Sequence, residues 1–145
     1  MDPLRAVLVV EDNPSDAGAL RYALEKAPWG LAFHFVTTGE EAVAYLEGIG
    51  QFGNRHAHPL PDLVLLDLNL PGMSGFEVLS WIRHHPLLNE LKVFVWTDPG
   101  EPEAIERATR AGANRFVPKS VAFVRGGLAG LIGDIAQALN GNRVA

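Results

Sequence analysis

Pro61 to Leu79 reads PDLVLLDLNLPGMSGFEVL: a short apolar run, an aspartate, a Pro-Gly turn and the start of a helix. Leu63 to Leu66 has no polar residue to alternate with, which is the pattern of a strand buried on both faces. Pro71-Gly72 then breaks the chain. Ser74, with Glu77 three residues on, fits a capping box for a helix that carries Phe76, Leu79 and Ile82 on one face. A strand covered on both faces needs helices on both sides of its sheet, so this stretch predicts a doubly wound α/β fold with parallel strands.

The same rhythm continues in both directions. Ala6 to Val10, Leu31 to Val36, Val93 to Trp96, and Phe116 to Val117 read as the other strands, making five. Ala17, Leu20, Leu24 and Ala27 share one helical face, and Ala42, Val43, Leu46 and Ile49 another. Ile105, Ala108 and Ala111 mark a fourth helix; Leu128, Leu131, Ile132, Ile135 and Leu139 mark a fifth that should stop near Asn140 and Gly141. Asn13-Pro14 suits a cap and first turn, and Thr38 with Glu41 fits a second capping box. Five βα units in one domain spanning 1–145 are expected, with an aperiodic connection from Gly50 to Pro61.

Composition narrows the function. A hydrophobic content of 48% over 145 residues is enough for one packed core. Twelve Lys and Arg against 17 Asp and Glu give a formal charge of −5 with no concentrated basic run, which argues against nucleic-acid binding. Without cysteine there is no disulfide, thiolate zinc site or cysteine nucleophile. The apolar run Ala6–Val10 is closed by Glu11 and Asp12 and is too short to span a membrane, so a cytoplasmic protein with no membrane partner is expected.

In doubly wound sheets the loops at the carboxyl ends of the strands converge where ligands bind. The residues at those ends are Glu11 and Asp12 after the first strand, Asp67 after the third, Thr97 after the fourth and Lys119 after the fifth. Carboxylates held together raise one another's pKa unless positive charge compensates, which a cation and Lys119 would supply. Oxygen ligands suit a hard ion such as Mg²⁺, with Asp12 and Asp67 as direct ligands. Phosphoryl transfer depends on positioning and on neutralising the equatorial oxygens, tasks that fit the metal, the Lys119 ammonium and the Thr97 hydroxyl, and Asp67 is left as nucleophile.

VLVVEDNPSD, PDLVLLDLNLPGMSGFEVL, the Thr97 segment and FVPK together resemble the response-regulator receiver family over nearly the whole chain. The resemblance implies a flavodoxin-like (βα)5 sheet of strand order 2-1-3-4-5. It also implies phosphotransfer from a sensor histidine kinase to Asp67, with Glu11, Asp12, Asp67 and the Asn69 backbone carbonyl around Mg²⁺ or Mn²⁺. Thr97 and the aromatic Phe116 are the implied switch pair, shifting two preexisting populations after phosphorylation. Such a protein is a phosphoacceptor that assists its own phosphorylation and dephosphorylation rather than an enzyme. The long connection before Pro61, and Lys119 followed by Ser120, look like the small regulators paired with bacterial phytochromes.

Three departures modify that expectation. Proline precedes Lys119 as Pro118, and Ser120 follows it, where many receivers have proline. Asp98 follows Thr97, where a small residue is usual; it is expected to point outward on a mobile loop from Asp98 to Pro102. Gly126, Gly127, Gly130 and Gly133 weaken the last helix, each by roughly 1 kcal/mol relative to alanine, or allow a second copy to approach. A homodimer through the fourth helix, fifth strand and fifth helix is the corresponding expectation.

Other functions fit less well. A haloacid-dehalogenase-type phosphatase also forms an aspartyl phosphate, but needs a second aspartate where this chain has Asn69. DLNLPG resembles the cobalamin-binding DxHxxG motif with its histidine replaced by Asn69. A receiver-like interaction module that no longer cycles phosphate is the stronger competitor, suggested by Asp98 and Ser120. His34, His56, His58, His84 and His85 lack metal-site spacing and read as surface or packing residues, and Trp29, Trp81 and Trp96 as core or rim.

Overall fold

The computed structural model describes residues 5–26, 30–98, 100, 102–124 and 128–140. Strands β1 (Arg5–Val10), β2 (Leu31–Val36), β3 (Leu63–Leu66), β4 (Lys92–Thr97) and β5 (Arg115–Pro118) form one sheet. Its order is β2-β1-β3-β4-β5 with every neighbouring pair parallel, as expected. Helices α1 (Pro14–Glu25), α2 (Gly39–Glu47), α3 (Gly75–His84) and α4 (Ala104–Arg110) connect the strands. Past β5 the expectation of one helix is corrected: α5 (Lys119–Val124) begins on Lys119 itself and α6 (Ala129–Asn140) carries the Leu and Ile stripe.

Strand alternation divides the interior in two. Leu8, Val10, Val64, Leu66, Val93 and Val95 point to one face, where Leu46, Val78, Leu79 and Ile82 of α2 and α3 cover them. Val7, Val9, Leu63, Leu65, Phe94 and Trp96 point to the other, under Leu20 of α1 and Leu131 and Ile135 of α6. Period-two side chains with both faces covered are the reason these strands are apolar throughout.

Two residues placed in the core by periodicity lie outside it. Ile49 is 58% exposed, because Gly48 closes α2 in the left-handed conformation (φ 69°) and the chain leaves the helix before Ile49. Tyr45 and Phe52 fill the space instead. Ile105 is 46% exposed: α4 is one short helix whose buried contact is Ala108. Ala27, Trp29, Gly126, Gly127 and Gly141 lie outside the described residues.

The connection from Gly50 to Pro61 is held by side chains. Arg55 donates to the carbonyls of Tyr45, Leu46 and His58, satisfying the open end of α2. The Tyr45 hydroxyl donates to the Pro59 carbonyl at 2.9 Å. His58 packs edge-on against Tyr45 and Phe52, and His34 lies beside Tyr45, so these two histidines pack against rings.

Candidate phosphoacceptor site

Each strand-end residue named from the sequence sits at the carboxyl edge of the sheet. β1 and β3 run side by side, which puts Glu11 and Asp12 next to Asp67, and β3 and β4 put Asp67 next to Thr97. Glu11, Asp67, Thr97 and Lys119 are buried polar residues, at 1%, 3%, 0% and 7% exposure, whereas Asp12 is exposed. Four such residues in an otherwise apolar interior need partners, because unpaired buried charge is costly.

Those partners are one another. The Asp67 Oδ1 accepts from the Thr97 hydroxyl at 2.7 Å and from the Asn69 N–H at 2.9 Å, while Oδ2 accepts from Lys119 Nζ at 2.9 Å. Asn69 Nδ2 donates to the Thr97 hydroxyl and to the Asp98 carbonyl, which ties the β3–α3 and β4–α4 loops together. Lys119 Nζ is also 2.8 Å from Glu11 Oε1 and 2.7 Å from Asp16 Oδ2. Three N–H donors thus face three carboxylates.

Local sequence explains much of this. Asn13 caps α1 by accepting from the N–H groups of Ser15 and Asp16, with Pro14 at the first helical position. The Ser74–Glu77 capping box is complete, and Gly75 N–H returns to the Leu68 carbonyl, folding the Asp67–Ser74 loop against α3. The Thr38 hydroxyl accepts the Glu41 N–H, but the Glu41 carboxylate turns to Thr37 instead of completing the expected box.

Electrostatics mark a place for a cation. Burial pushes the Glu11 carboxyl up to about 7, and Asp67 adds to that, against the hydrogen bonds from Lys119 and the Asn13 N–H. Burial alone would lower Lys119, but Asp16, Glu11 and Asp67 outweigh it and hold the ammonium above its ordinary value. Carboxylate oxygens of Glu11, Asp12 and Asp67 lie within 4.8 Å of one another. Glu11 Oε1 is fully buried, and the group beside it is the Lys119 ammonium at 2.8 Å, which Asp16 and Asp67 share. Three carboxylates this close, with one ammonium shared among Glu11, Asp67 and Asp16, form an all-oxygen cluster that fits a hard divalent ion.

Asp16 is the site residue the sequence reading did not single out. The signal was the Asn13-Pro14 cap, which fixes a first helical turn at the sheet's carboxyl edge and places Asp16 in it. Asp98 is exposed, in line with expectation, but it is tied down: its Oδ1 accepts the Ser120 N–H at 3.1 Å. Phe116 is partly buried in β5, paired with Val95 and packed on the α2–α3–α4 side of the core. Among the described residues no peptide bond is cis, Lys119–Ser120 included. Nor, among them, is any helix long and apolar enough to cross a membrane.

Residues 7–125 match the model of the response regulator receiver domain. Response regulator Rcp1 of Synechocystis sp. is 30% identical over 119 residues, covering 82% of this chain and 79% of Rcp1. Among solved structures, response regulator RPA3017, from red light signaling of R. palustris, superposes with a TM-score of 0.80 at 27% identity, over 98% of this chain and 97% of that one. The phosphorylated cyanobacterial phytochrome response regulator RcpA superposes with a TM-score of 0.76 at 29% identity, over 94% of this chain and 91% of that one. The buried Asp67 of this chain, flanked by Thr97 and Lys119 on a sheet of the fold these relatives share, agrees with the sequence match: the chain belongs to the response-regulator receiver family.

Proposed function

We propose that residues 1–145 act as a single receiver domain that accepts a phosphoryl group on Asp67 from a sensor histidine kinase in a Mg²⁺- or Mn²⁺-dependent reaction. The observation that carries this is the Asp67 carboxylate, 3% exposed and held by Thr97, Asn69 and Lys119. Glu11, Asp12 and Asp67, with the Asn69 carbonyl, would hold the ion, whose chemistry is to neutralise charge on the transferring group. A solved form of the relative Rcp1 is Mn²⁺-bound.

In this reading an Asp67 oxygen bonds to phosphorus as the P–N bond of the phosphohistidine breaks, and the departing imidazole keeps the electron pair. Lys119 meets the new anionic oxygens, and Thr97 exchanges its bond to Asp67 for one to the phosphoryl group. That motion would release Asn69 and, through β4 and β5, reposition Phe116. Asp98, drawn toward the Ser120 amide, adds no charge inside the pocket, which weighs against the phosphate-independent module. The named relatives favour a phytochrome kinase as donor.

The test is intact-mass measurement after incubation with Mg²⁺ and a small acyl phosphate. Wild type is expected to gain one labile phosphoryl group and Asp67→Asn none. An adduct on both, or on neither with the fold intact, contradicts the reading.

A homodimer through α4, β5 and α6 belongs to the same proposal. A groove lined by Phe116, Pro118, Val121, Gly130 and Leu131 runs along this side, and a Cβ on Gly133 would meet nothing within 4 Å. Sedimentation equilibrium is expected to detect a dimer at micromolar concentration; a monomer throughout, phosphorylated or not, rejects it.

A further inference from the structure

Lys119 reaches the site from a thin support. Its helix α5 is six residues long and begins at Lys119, and the following N–H is engaged by Asp98. The ammonium nevertheless has three carboxylate partners, and they are not equivalent. Glu11 and Asp67 belong to the cluster whose oxygens lie within 4.8 Å of one another, the group a divalent ion would draw on. Asp16 stands outside that cluster and makes the shortest contact of the three, 2.7 Å, between residues 103 apart in sequence.

Asp16 is also firmly placed. Its N–H is held by the Asn13 side chain at 3.1 Å, in the first turn of a twelve-residue helix packed on the sheet through Leu20. A carboxylate in that turn is favoured by the helix dipole, so the anchor needs no other partner to stay in position. When a metal draws on Glu11 and Asp67, two of the three acceptors of Lys119 are shared or lost. Asp16 is then the remaining one.

We propose that Asp16 is the positioning residue for Lys119, holding the ammonium beside Asp67 while the metal and the incoming phosphoryl group compete for its other partners. Asp16 touches neither the phosphoryl group nor the reacting oxygen, and it acts through Lys119. This rests on the phosphoacceptor reading of Asp67.

The experiment compares full-length wild type, Asp16→Ala and Asp16→Asn in two measurements. The first is the rate of phosphoryl adduct formation from a small acyl phosphate at saturating Mg²⁺, with Mg²⁺ affinity read separately by isothermal titration calorimetry. Asp16→Ala should slow adduct formation by roughly tenfold to a hundredfold, the scale of a misplaced reacting group, and change Mg²⁺ affinity little. Asn keeps an acceptor oxygen in place, so Asp16→Asn should recover most of the rate.

The second measurement needs no phosphorylation: nitrogen-15 lysine NMR of the Lys119 ammonium protons at saturating Mg²⁺, where Glu11 and Asp67 are drawn to the metal, expected to show protection from exchange in wild type and Asp16→Asn and its loss in Asp16→Ala. Equal ammonium protection in all three proteins overturns the proposal, as does an Asp16→Ala rate equal to wild type. A fall in Mg²⁺ affinity that Asn fails to rescue also overturns it, since that is the signature of a charge or ligand role. If wild type itself takes no phosphoryl group, the function assigned to Asp67 fails alone, and the ammonium protection still decides whether Asp16 holds Lys119.

Discussion

Alanine at Gly75 is expected to destabilise the fold by about 2–3 kcal/mol, overpacking at the upper end of its usual cost, and to displace Asp67 as it does so. A Cβ built on Gly75 would stand 2.3 Å from the Asp67 carbonyl oxygen and 2.5 Å from the Leu68 Cα. Those are backbone atoms at the end of a buried strand, so relief requires α3 to move away from β3 or the Asp67–Leu68 peptide to turn. Either motion breaks the Gly75 N–H to Leu68 carbonyl bond, 3.1 Å here, that closes the loop. Alanine's better helix propensity offsets roughly 1 kcal/mol at most. Urea unfolding measures the loss, and intact mass should show slower phosphoryl uptake by whatever remains folded. Gly133→Ala is the matched control, because nothing lies within 4 Å of its added carbon and α6 should gain stability. Equal midpoints for Gly75→Ala and wild type would contradict the close approach of α3 to the end of β3.

Methionine at Lys119 is expected to lower phosphoryl uptake by roughly 10²–10³-fold, the scale of removing a preorganised electrostatic group. It should also cost about 3–5 kcal/mol of stability near neutral pH, as when one partner of a buried ion pair is removed. Methionine keeps the length and apolar stem, so the lost term is the charge shared by Glu11, Asp16 and Asp67. The sign with pH follows from Glu11. Its folded pKa, about 7, already stands above the ordinary 4.5, so its contribution favours the fold below 4.5 and is lost as pH rises through 7. Removing the ammonium raises that pKa further. The difference in melting temperature between wild type and Lys119→Met should therefore widen from pH 5 to 8, and millimolar Mg²⁺ should narrow it. A difference independent of both pH and Mg²⁺ would mean that the three carboxylates do not depend on Lys119.

What was legible in the sequence was whatever local periodicity encodes. Continuous apolar runs at Ala6–Val10 and Leu63–Leu66 mean strands covered on both faces, and in a parallel sheet that also fixes which residues stand at the carboxyl edge. Glu11, Asp12, Asp67, Thr97 and Lys119 were placed by counting to the ends of strands. Asn13, Ser74 and Glu77 were readable because a cap and its partner are two or three residues apart.

The structure decided what depends on distance through space. Asp16 meets Lys119 across 103 residues; the Asn13-Pro14 cap places Asp16 in the first turn of α1, but nothing local to either residue shows that the two touch. Gly75 looks like an ordinary first-turn residue until the Asp67 carbonyl is found where its side chain would go. Ile49 and Ile105 match a helical period, yet the period does not show that Gly48 ends the helix before the first or that α4 buries little beyond Ala108 around the second. Asp98 was read as a loose loop charge, and only the approach of the β5–α5 junction supplies the Ser120 amide that holds it. The sequence by itself determined the order of elements, the faces of the strands and the residues at their ends, because the repeat of a strand or helix spaces its buried side chains at fixed short intervals along the chain. Tertiary structure alone decided which of those residues touch, since hydrogen bonds and ion pairs form only where separate elements pack within about 3 Å.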